Sequence, residues 1–425
     1  MQQHLYGIDF GTTNSVLSIF DRSTKQIVET ISVPSILYFP INQSSEDDLN
    51  YQVGEKAIES YLAENMRGRF MKSIKQILPV SSFLNTRIGN NLYSASDLVS
   101  FILIDLKKAA DKIIGYTCET AIIGRPVFFD DLNKGKDDLA QKRLLEAAEI
   151  AGFTSIRFQF EPISAAFAYE KTIQKKERVL VADLGGGTTD FTLIELDPTK
   201  STSANRRDDI LATGGIYIGG DNFDSSFMWE KGTPYFGRGV QYESMPGKMV
   251  DLPTSFFQNI CSWKEMNFFN GQKVKNSLNQ YFIYTKRNPI FKNLITLIDN
   301  NLGFSVFKEI EKVKIQLTEN ELTNFEFSKL DIKIKEAISK EVYAEIIQDD
   351  VNSIERYLNK FLKSNAIDSS QIDSLFLTGG TSLAPSVKQI FEQKFPTTPI
   401  HSGDNFISVA NGLALSEYLF EEVKN

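Results

Sequence analysis

The sequence predicts an α/β fold built from two related halves. Short apolar strand patterns alternate with helix patterns along the 425 residues, which is typical of mixed sheets covered by helices. A strand followed by Asp-x-Gly and paired threonines occurs twice, as IDFGTTNS from Ile8 and as ADLGGGTTD from Ala182. Because a repeated unit indicates related substructures, we expect two lobes with a functional site where the two turns meet.

The individual elements follow in chain order. Strands are predicted at LYGIDF, SVLSIF, KQIVET, ETAIIGRPV, SIRFQF, RVLVADL, TDFTLIEL and SLFLTGG, which are rich in β-branched and aromatic residues. A first helix is predicted to begin at Asp97 as N-cap and to end at Gly115. A second helix is predicted to end at Gly152, and a third, SLAPSVKQIFEQKF, to begin at Ser382.

Composition and charge exclude several classes of protein. Hydrophobic residues make up 42% and charged residues 24%, as in ordinary globular proteins. The net charge of −8 argues against a nucleic-acid or membrane-surface partner, and two cysteines and two histidines argue against a disulfide framework or a His-rich metal site. The start, MQQHLYGIDFG, lacks a signal-peptide pattern, and no apolar stretch is long enough to span a membrane. We expect a cytoplasmic monomer.

Residues 225–300 differ from the rest of the chain. This segment holds nine basic and five acidic residues, and it contains both tryptophans, Trp229 and Trp263. We interpret it as an inserted subdomain. Its aromatic residues form either the core of the insert itself or a surface that contacts a partner.

Glycine-rich turns follow both repeated strands. The small residues of 11–13 and 185–188 let backbone N–H groups approach an anion closely, and the threonine hydroxyls add donors. Asp9, Asp183 and Asp190 flank these turns, and carboxylates beside phosphates require a divalent cation. The pattern therefore predicts a polyphosphate site with Mg²⁺ bound largely through water. It is not the G-x-x-x-x-G-K-[ST] phosphate loop, so the cationic side chain must come from elsewhere.

Five motifs carry a family resemblance: GIDFGTTNS, EPISAAFAYE, VADLGGGTTD, IGGDNFD and LTGGTSLAP. Together they resemble the ATPase domain of the seventy-kilodalton heat-shock chaperones of the DnaK type, and the resemblance extends over residues 7–412. The resemblance implies the actin-like, ribonuclease H-like fold, in which two lobes, each a mixed sheet with flanking helices, enclose a nucleotide cleft. It also implies a Mg²⁺-dependent ATPase that hydrolyses ATP slowly and binds a client or co-chaperone.

The resemblance also assigns roles to residues. It implies that Glu161 and Asp183 orient or deprotonate the attacking water, and that Asp9 and Asp190 hold the hydration shell of Mg²⁺. Lys72 in RFMKSIKQI matches the lysine at the γ-phosphate, with Lys75 as the alternative. The implied nucleotide contacts are Gly11, Thr12, Thr13 and Asn14 in the first phosphate loop, Gly185, Gly186, Gly187 and Thr188 in the second, Gly219, Gly220 and Asp221 beside the ribose, Glu311 and Lys314 at the adenosine, and Gly379 and Gly380 in the adenine-side turn.

The chain departs from the family pattern at specific positions. Ile315 and Leu383 stand where two arginines usually enclose the adenine, so both cation–π partners are replaced by apolar side chains. Pro126 matches the family's switch proline, but Lys134 stands where its arginine partner is expected, which predicts a weaker relay to a second domain.

The resemblance leads to a domain prediction. We expect lobe I in residues 1–174, joined by a returning helix within 400–425, and lobe II in 175–399 with the insert at 225–300. The sequence runs to Asn425 after Gly412, so we expect no client-binding domain, as in the family's short YegD-like branch.

Four functions fit these features. The first is an ATPase switch or chaperone that changes a protein-binding surface, and the retained acidic residues favour it. The alternatives are a small-molecule kinase of the actin-like superfamily, a non-hydrolysing nucleotide sensor or polymer subunit, and a single-strand nucleic-acid binder that uses the basic, aromatic insert.

Overall fold

The structure is a computed structural model that describes residues 2–41, 50–64, 66–130, 133–170, 173–200, 207–262, 266, 269, 271–401 and 408–417. It divides into two compact units. The first comprises Met1–Tyr217, Arg356–Ser382 and Lys388–Asn425, and the second comprises Ile218–Glu355 and Leu383–Val387. The predicted lobe boundaries at 174/175 and 399/400 stay a prediction.

The strands of the described residues, in chain order, are β1 His4–Phe10, β2 Asn14–Asp21, β3 Gln26–Pro34, β4 Ile36–Phe39, β5 Gln52–Val53, β6 Arg69–Lys72, β7 Thr86–Ile88, β8 Asn91–Tyr93, β9 Thr120–Arg125, β10 Ser155–Phe160, β11 Glu177–Leu184, β12 Thr189–Leu196, β13 Ile210–Ile216, β14 Gln241–Met245, β15 Lys248–Asp251, β16 Leu322–Lys329, β17 Ile332–Ser339, β18 Ser374–Thr378 and β19 Ile400–His401. Each of the eight strands predicted from the sequence overlaps one of these strands.

The α-helices are α1 Gly54–Ala63, α2 Ala95–Ile114, α3 Lys134–Ile150, α4 Glu161–Glu170, α5 Gly220–Phe227, α6 Thr254–Ile260, α7 Gln272–Tyr284, α8 Pro289–Asp299, α9 Gly303–Glu319, α10 Lys340–Ser364, α11 Pro385–Lys394 and α12 Ser408–Leu415. Short 3₁₀ turns include Ile74–Ile77 and Gly380–Leu383. No helix of the described residues is long and apolar enough to cross a membrane.

Two five-stranded sheets in the first unit share one topology. The first has the order β10-β9-β1-β2-β3, and the second has the order β19-β18-β11-β12-β13. In each sheet the strand that carries the Asp-x-Gly motif pairs antiparallel with the next strand and parallel with a later one. The sequence repeat therefore corresponds to a structural repeat, and the predicted α/β class is confirmed.

Helices α4 and α12 pack against the first sheet, with α4 also reaching strands of the second. Gly7 of β1 lies so close to α12 that a side chain would overlap the Ala410 carbonyl oxygen. The apolar core around these helices includes Ile163, Val181 and Leu413, all buried. This packing brings the carboxyl ends of β1 and β11 and the amino end of α4 to one region of the first unit.

Two helix boundaries predicted from the sequence are wrong. The N-cap of α2 is Ser94, whose hydroxyl accepts from the Asp97 N–H at 3.2 Å, while the Asp97 carboxylate reaches back to the Ser94 N–H at 2.8 Å. This is a capping box, in which the acidic residue occupies the third helical position. The helix predicted from Ser382 begins at Pro385, because 380–383 form a 3₁₀ turn. The predicted end at Gly115 is confirmed by its left-handed backbone, with φ of 81°.

The second unit contains the described part of the insert. This unit includes the hairpin β14–β15, helices α5–α9 and the hairpin β16–β17. Many of its aromatic side chains are buried, including Phe236, Phe256, Phe257 and Phe291, so they form the core of the insert itself. Trp263 lies outside the described residues.

Candidate active site

The first glycine-rich turn joins β1 to β2. A side chain at Gly11 would overlap the Asn14 carbonyl oxygen, so only glycine fits this turn. The buried Ser35 secures the turn, because its hydroxyl donates to the Gly11 carbonyl at 2.7 Å and its N–H donates to the Thr13 carbonyl at 2.7 Å. Thr12 lies between these two anchored residues, and the turn holds it in place.

The second glycine-rich turn joins β11 to β12 in the same way. The Gly185 N–H donates to the Thr188 carbonyl at 2.9 Å, and the Thr381 hydroxyl donates to the Gly185 carbonyl at 2.8 Å. A side chain at Gly187 would meet Gln76 at 2.7 Å, which places the segment around Gln76 beside this turn. Gly186 lies in the middle of the turn.

Carboxylates and one ammonium group gather beside the turns. The Lys75 Nζ lies 2.9 Å from the Glu161 Oε1, and only 14% and 12% of these side chains are exposed. Burial and the nearby Glu161 raise the pKa of Asp9 to about 7, and the same two causes raise the pKa of Asp183. Burial alone would lower the pKa of Lys75, but the charges of Glu161 and Asp9 outweigh it and raise that pKa. Lys75 therefore stays charged.

Sheet register positions the aspartates. Asp183 on β11 stands opposite Asp190 on β12, and Asp190 stands opposite Gly215 on β13, where any side chain would overlap the Asp190 carboxylate. The Thr378 hydroxyl of β18 donates to Asp183 at 3.1 Å. Glu161 is the first residue of α4, and Asp9 is the penultimate residue of β1.

The structure brings Lys75, the alternative lysine of the sequence analysis, to this cluster. Lys72 is the last residue of β6, and Ser73 follows with a left-handed backbone, φ of 60°, before the 3₁₀ turn that carries Lys75. A left-handed serine costs about 1 kcal/mol or more and reverses the direction of the chain. No periodicity in the sequence signals such a residue.

Arg143 of α3 is a positioning residue that sequence reasoning missed. Its guanidinium donates to the carbonyl oxygens of Ile77 at 3.1 Å, Leu78 at 2.8 Å, Val80 at 3.0 Å and Phe83 at 2.7 Å. These carbonyls end the 3₁₀ turn of Lys75 and the loop behind it. Arg143 thus anchors the segment that presents Lys75.

The charge of the cluster fits a hydrated divalent cation. Asp9, Glu161 and Asp183 carry three potential negative charges against the single positive charge of Lys75. Among the described residues, no group of three His, Cys, Asp or Glu side chains is arranged to ligate a metal directly. The expectation that Asp9 and Asp190 hold Mg²⁺ through water stays a prediction.

The residues assigned to the nucleoside lie mainly in the second unit. Gly219, Gly220 and Asp221 form the start of α5, where the Gly219 N–H donates to the Asn222 side chain at 3.0 Å. Lys314 on α9 pairs with Asp224 at 2.8 Å and 2.9 Å to its two oxygens. Asp224 is a partner that the sequence analysis did not identify.

Glu311 occupies the helical turn of α9 before Lys314. Ile315 and Leu383, also in the second unit, expose 61% and 51% of their surface, which is unusual for apolar side chains. In the first unit, Gly379 has φ of 78° and would overlap the Leu184 carbonyl if it carried a side chain, and Gly380 begins the following 3₁₀ turn.

The two positions that the resemblance assigns to a switch lie in the first unit. Pro126 follows β9, and Lys134 is the first residue of α3. Arg125 interacts with the backbone here: its Nε donates to the Pro126 carbonyl at 3.0 Å, and its guanidinium pairs with Asp137 at 2.8 Å.

Curated relatives of this chain are chaperones. The chain is 26% identical over 423 residues to the chaperone protein DnaK of Mycoplasma mobile, covering 97% of this chain and 58% of that protein. It is 31% identical over 230 residues to DnaK of Mycoplasmopsis agalactiae and 33% identical over 233 residues to DnaK of Thermosipho melanesiensis. These two matches cover 53% of this chain and 34% and 35% of the relatives. The chain spans less than two thirds of each relative's length.

A family profile covers most of the chain. The profile described as "Hsp70 protein" matches residues 5–230 and 267–421 and leaves 231–266 unmatched. Both repeated motifs, Lys75 and the carboxylate cluster lie inside the matched ranges. The chain therefore belongs to the Hsp70 protein family.

Proposed function

We propose that this chain binds MgATP and hydrolyses it slowly, and that the nucleotide controls the binding of a protein partner. The observation that carries the proposal is the partly buried cluster of Asp9, Glu161, Asp183 and Lys75 beside two glycine-threonine turns. Hsp70 proteins as a family bind ATP and act as chaperones. The proposal extends this family property to the residues of this chain.

Phosphate binding is supported by the two turns. The glycine residues of each turn carry no side chain that would block an anion, and each turn offers backbone N–H groups and threonine hydroxyls as donors. Ser35 and Thr381 hold the turns in place by bonding to their carbonyl groups, so the donors need little reorganisation when a phosphate binds. Preorganised donors of this kind stabilise charge that develops during phosphoryl transfer.

Hydrolysis is supported by the carboxylates and Lys75. Phosphoryl transfer depends on positioning and charge neutralisation more than on covalent help from the protein. Glu161 and Asp183 would orient the water and accept its proton, a contribution of about 10²- to 10⁴-fold. Lys75, held by Glu161, would place a positive charge at the γ-phosphate in the role the resemblance assigned to Lys72. When bound, Mg²⁺ would neutralise phosphate charge, with Asp9 and Asp190 accepting from its water ligands.

Nucleoside binding is proposed for the residues of the second unit. Asp221, Glu311 and Lys314 supply the polar groups that hydroxyls of a ribose require. The exposed Ile315 and Leu383 would contact the base through apolar packing instead of cation–π stacking. We therefore expect weaker and less selective base binding than two arginines would provide.

The test is single-turnover ATP hydrolysis with and without Mg²⁺. Wild type is compared with Asp183→Asn and Glu161→Gln, and with Glu326→Gln, an exposed strand residue of the second unit, as matched control. We expect both site variants to bind ATP within about threefold of wild type and to lose about 10²-fold or more in rate, while the control is unchanged. Binding without cleavage in wild type would favour the nucleotide-sensor alternative, and unchanged rates in both site variants would refute the catalytic assignment.

Partner binding is proposed for the exposed turn between α7 and α8. Ile283, Tyr284, Lys286 and Arg287 are all exposed, and Lys286 and Arg287 both have left-handed backbones, with φ of 54° and 60°. In the described part of the chain neither cation forms an ion pair. Affinity capture in ATP and in ADP, with Lys286→Glu/Arg287→Glu beside wild type, tests this role. We expect a captured protein that differs between nucleotides and is lost in the double variant; identical capture by both proteins would refute it.

A further inference from the structure

A small cavity lies beside the carboxylates in the first unit. Its volume is about 40 Å³, and Glu161, Asp183 and Asp190 line one side of it. Thr192, Thr213 and the segment 126–128 also line it, and the apolar part of its lining includes Ala165, Val181 and Val409. The cavity therefore extends from the candidate catalytic groups toward β13.

Sheet register places the two threonines in one row. Thr192 on β12 stands opposite Thr213 on β13, and Thr192 lies two positions after Asp190 on the same face of the sheet. Thr192 is 5% exposed, and Thr213 is half-buried. Within the described ranges, neither hydroxyl has a hydrogen-bond partner in the protein.

Hydroxyl groups that line a cavity and lack a protein partner are normally satisfied by water. The cavity volume exceeds the roughly 10–15 Å³ that one water molecule requires. The carboxylates and threonine hydroxyls in its lining supply the two or more partners that hold a water in place.

We propose that this cavity holds ordered water and supplies the molecule consumed in each round of ATP hydrolysis. The inference rests on the proposed function. In the reaction the water oxygen bonds to the γ-phosphorus while the bond from that phosphorus to the β,γ-bridging oxygen breaks. One water is therefore consumed per turnover. It is replaced along the row Thr213–Thr192, whose outer end at Thr213 and Phe128 reaches the surface.

The experiment removes the hydroxyls without changing side-chain shape. Thr192→Val, Thr213→Val and the double variant are compared with Thr192→Ser and Thr213→Ser, which keep a hydroxyl. We expect single-turnover hydrolysis to fall about threefold to tenfold in the valine variants, as one lost hydrogen bond to the water predicts. The affinity for ATP should stay within about twofold of wild type, because no phosphate or nucleoside contact changes. The serine variants should retain the rate.

A crystal structure of wild type gives the second measurement. We expect at least one ordered water within hydrogen-bond distance of the Thr192 hydroxyl, and none there in the double valine variant. A dry cavity in wild type, or valine variants as fast as wild type, would overturn the inference while leaving the ATPase proposal standing. A wild type that binds ATP but never cleaves it would overturn both, and that result is distinguishable because it needs no variant.

Discussion

Replacing Lys75 by methionine tests the site most directly. The substitution removes the ammonium group and keeps a long apolar side chain. At the 2.9 Å separation from Glu161 and an effective dielectric constant of ~20, the Coulomb attraction in the pair is about 6 kcal/mol. Most of that is offset by desolvation, and breaking a buried pair costs about 3–5 kcal/mol because one charge is left unpaired.

The exposed fractions of 14% and 12% place this pair near the lower end of that range. We therefore expect Lys75→Met to lower the free energy of unfolding by about 3 kcal/mol. We also expect the single-turnover rate to fall by about 10²- to 10³-fold, the usual loss when one preorganised donor is removed. Lys72→Met is the matched control, expected to cost less than about 1 kcal/mol and to leave the rate within about threefold.

Urea unfolding and rapid-quench hydrolysis measure the two quantities on the same preparations. The reasoning is refuted if Lys72→Met abolishes hydrolysis and Lys75→Met does not. In that case the assignment from sequence resemblance is right, and the pair between Lys75 and Glu161 has only a structural role.

Three further predictions rest on other contacts. Arg143→Ala should lower the free energy of unfolding by about 2–4 kcal/mol and slow hydrolysis, because it removes the charged donor that holds four carbonyl groups behind Lys75. Arg143→Lys should recover part of the stability and part of the rate. An unchanged rate in the alanine variant would contradict the positioning role of Arg143. The hydrogen bond from the Ser23 hydroxyl outweighs burial and lowers the pKa of Asp21 to about 2. The stability that Asp21 contributes is therefore complete above about pH 4 and is lost as pH falls from 4 to 2. Asp21→Asn should reduce the loss of unfolding free energy over this pH range. Burial raises the pKa of Cys261 to about 12, so about one Cys261 thiol in 10⁴ is ionised at pH 8. Both Cys261 and the buried Cys118 should therefore resist Ellman's reagent in the native protein and react in denaturant. Rapid labelling of the native protein would show that these regions open.

The sequence alone determined the local features of this protein. The strand patterns, the two Asp-x-Gly turns and the carboxylates at strand ends could be predicted, because each depends on a few neighbouring residues. Gly11 illustrates this, since the turn from β1 to β2 leaves no room for a side chain. The α/β class followed from the same patterns.

Features that depend on one residue's backbone or on capping partners could not be predicted. Asp97 was interpreted as an N-cap because acidic residues favour that position, but Ser94 takes it and Asp97 completes the capping box. The orientation of Lys75 depends on the left-handed backbone of Ser73, which serine adopts only when surrounding contacts enforce it.

The tertiary structure alone decided which distant residues meet. Lys75 and Glu161 are far apart in the chain, and only the packing of α4 and the anchoring of the 3₁₀ turn by Arg143 bring them to 2.9 Å. Thr192 and Thr213 likewise share a row only because β12 and β13 pair in one register, and a shift by one residue would turn a hydroxyl to the opposite face. Such contacts depend on burial and register summed over whole sheets, and no short stretch of sequence contains that information.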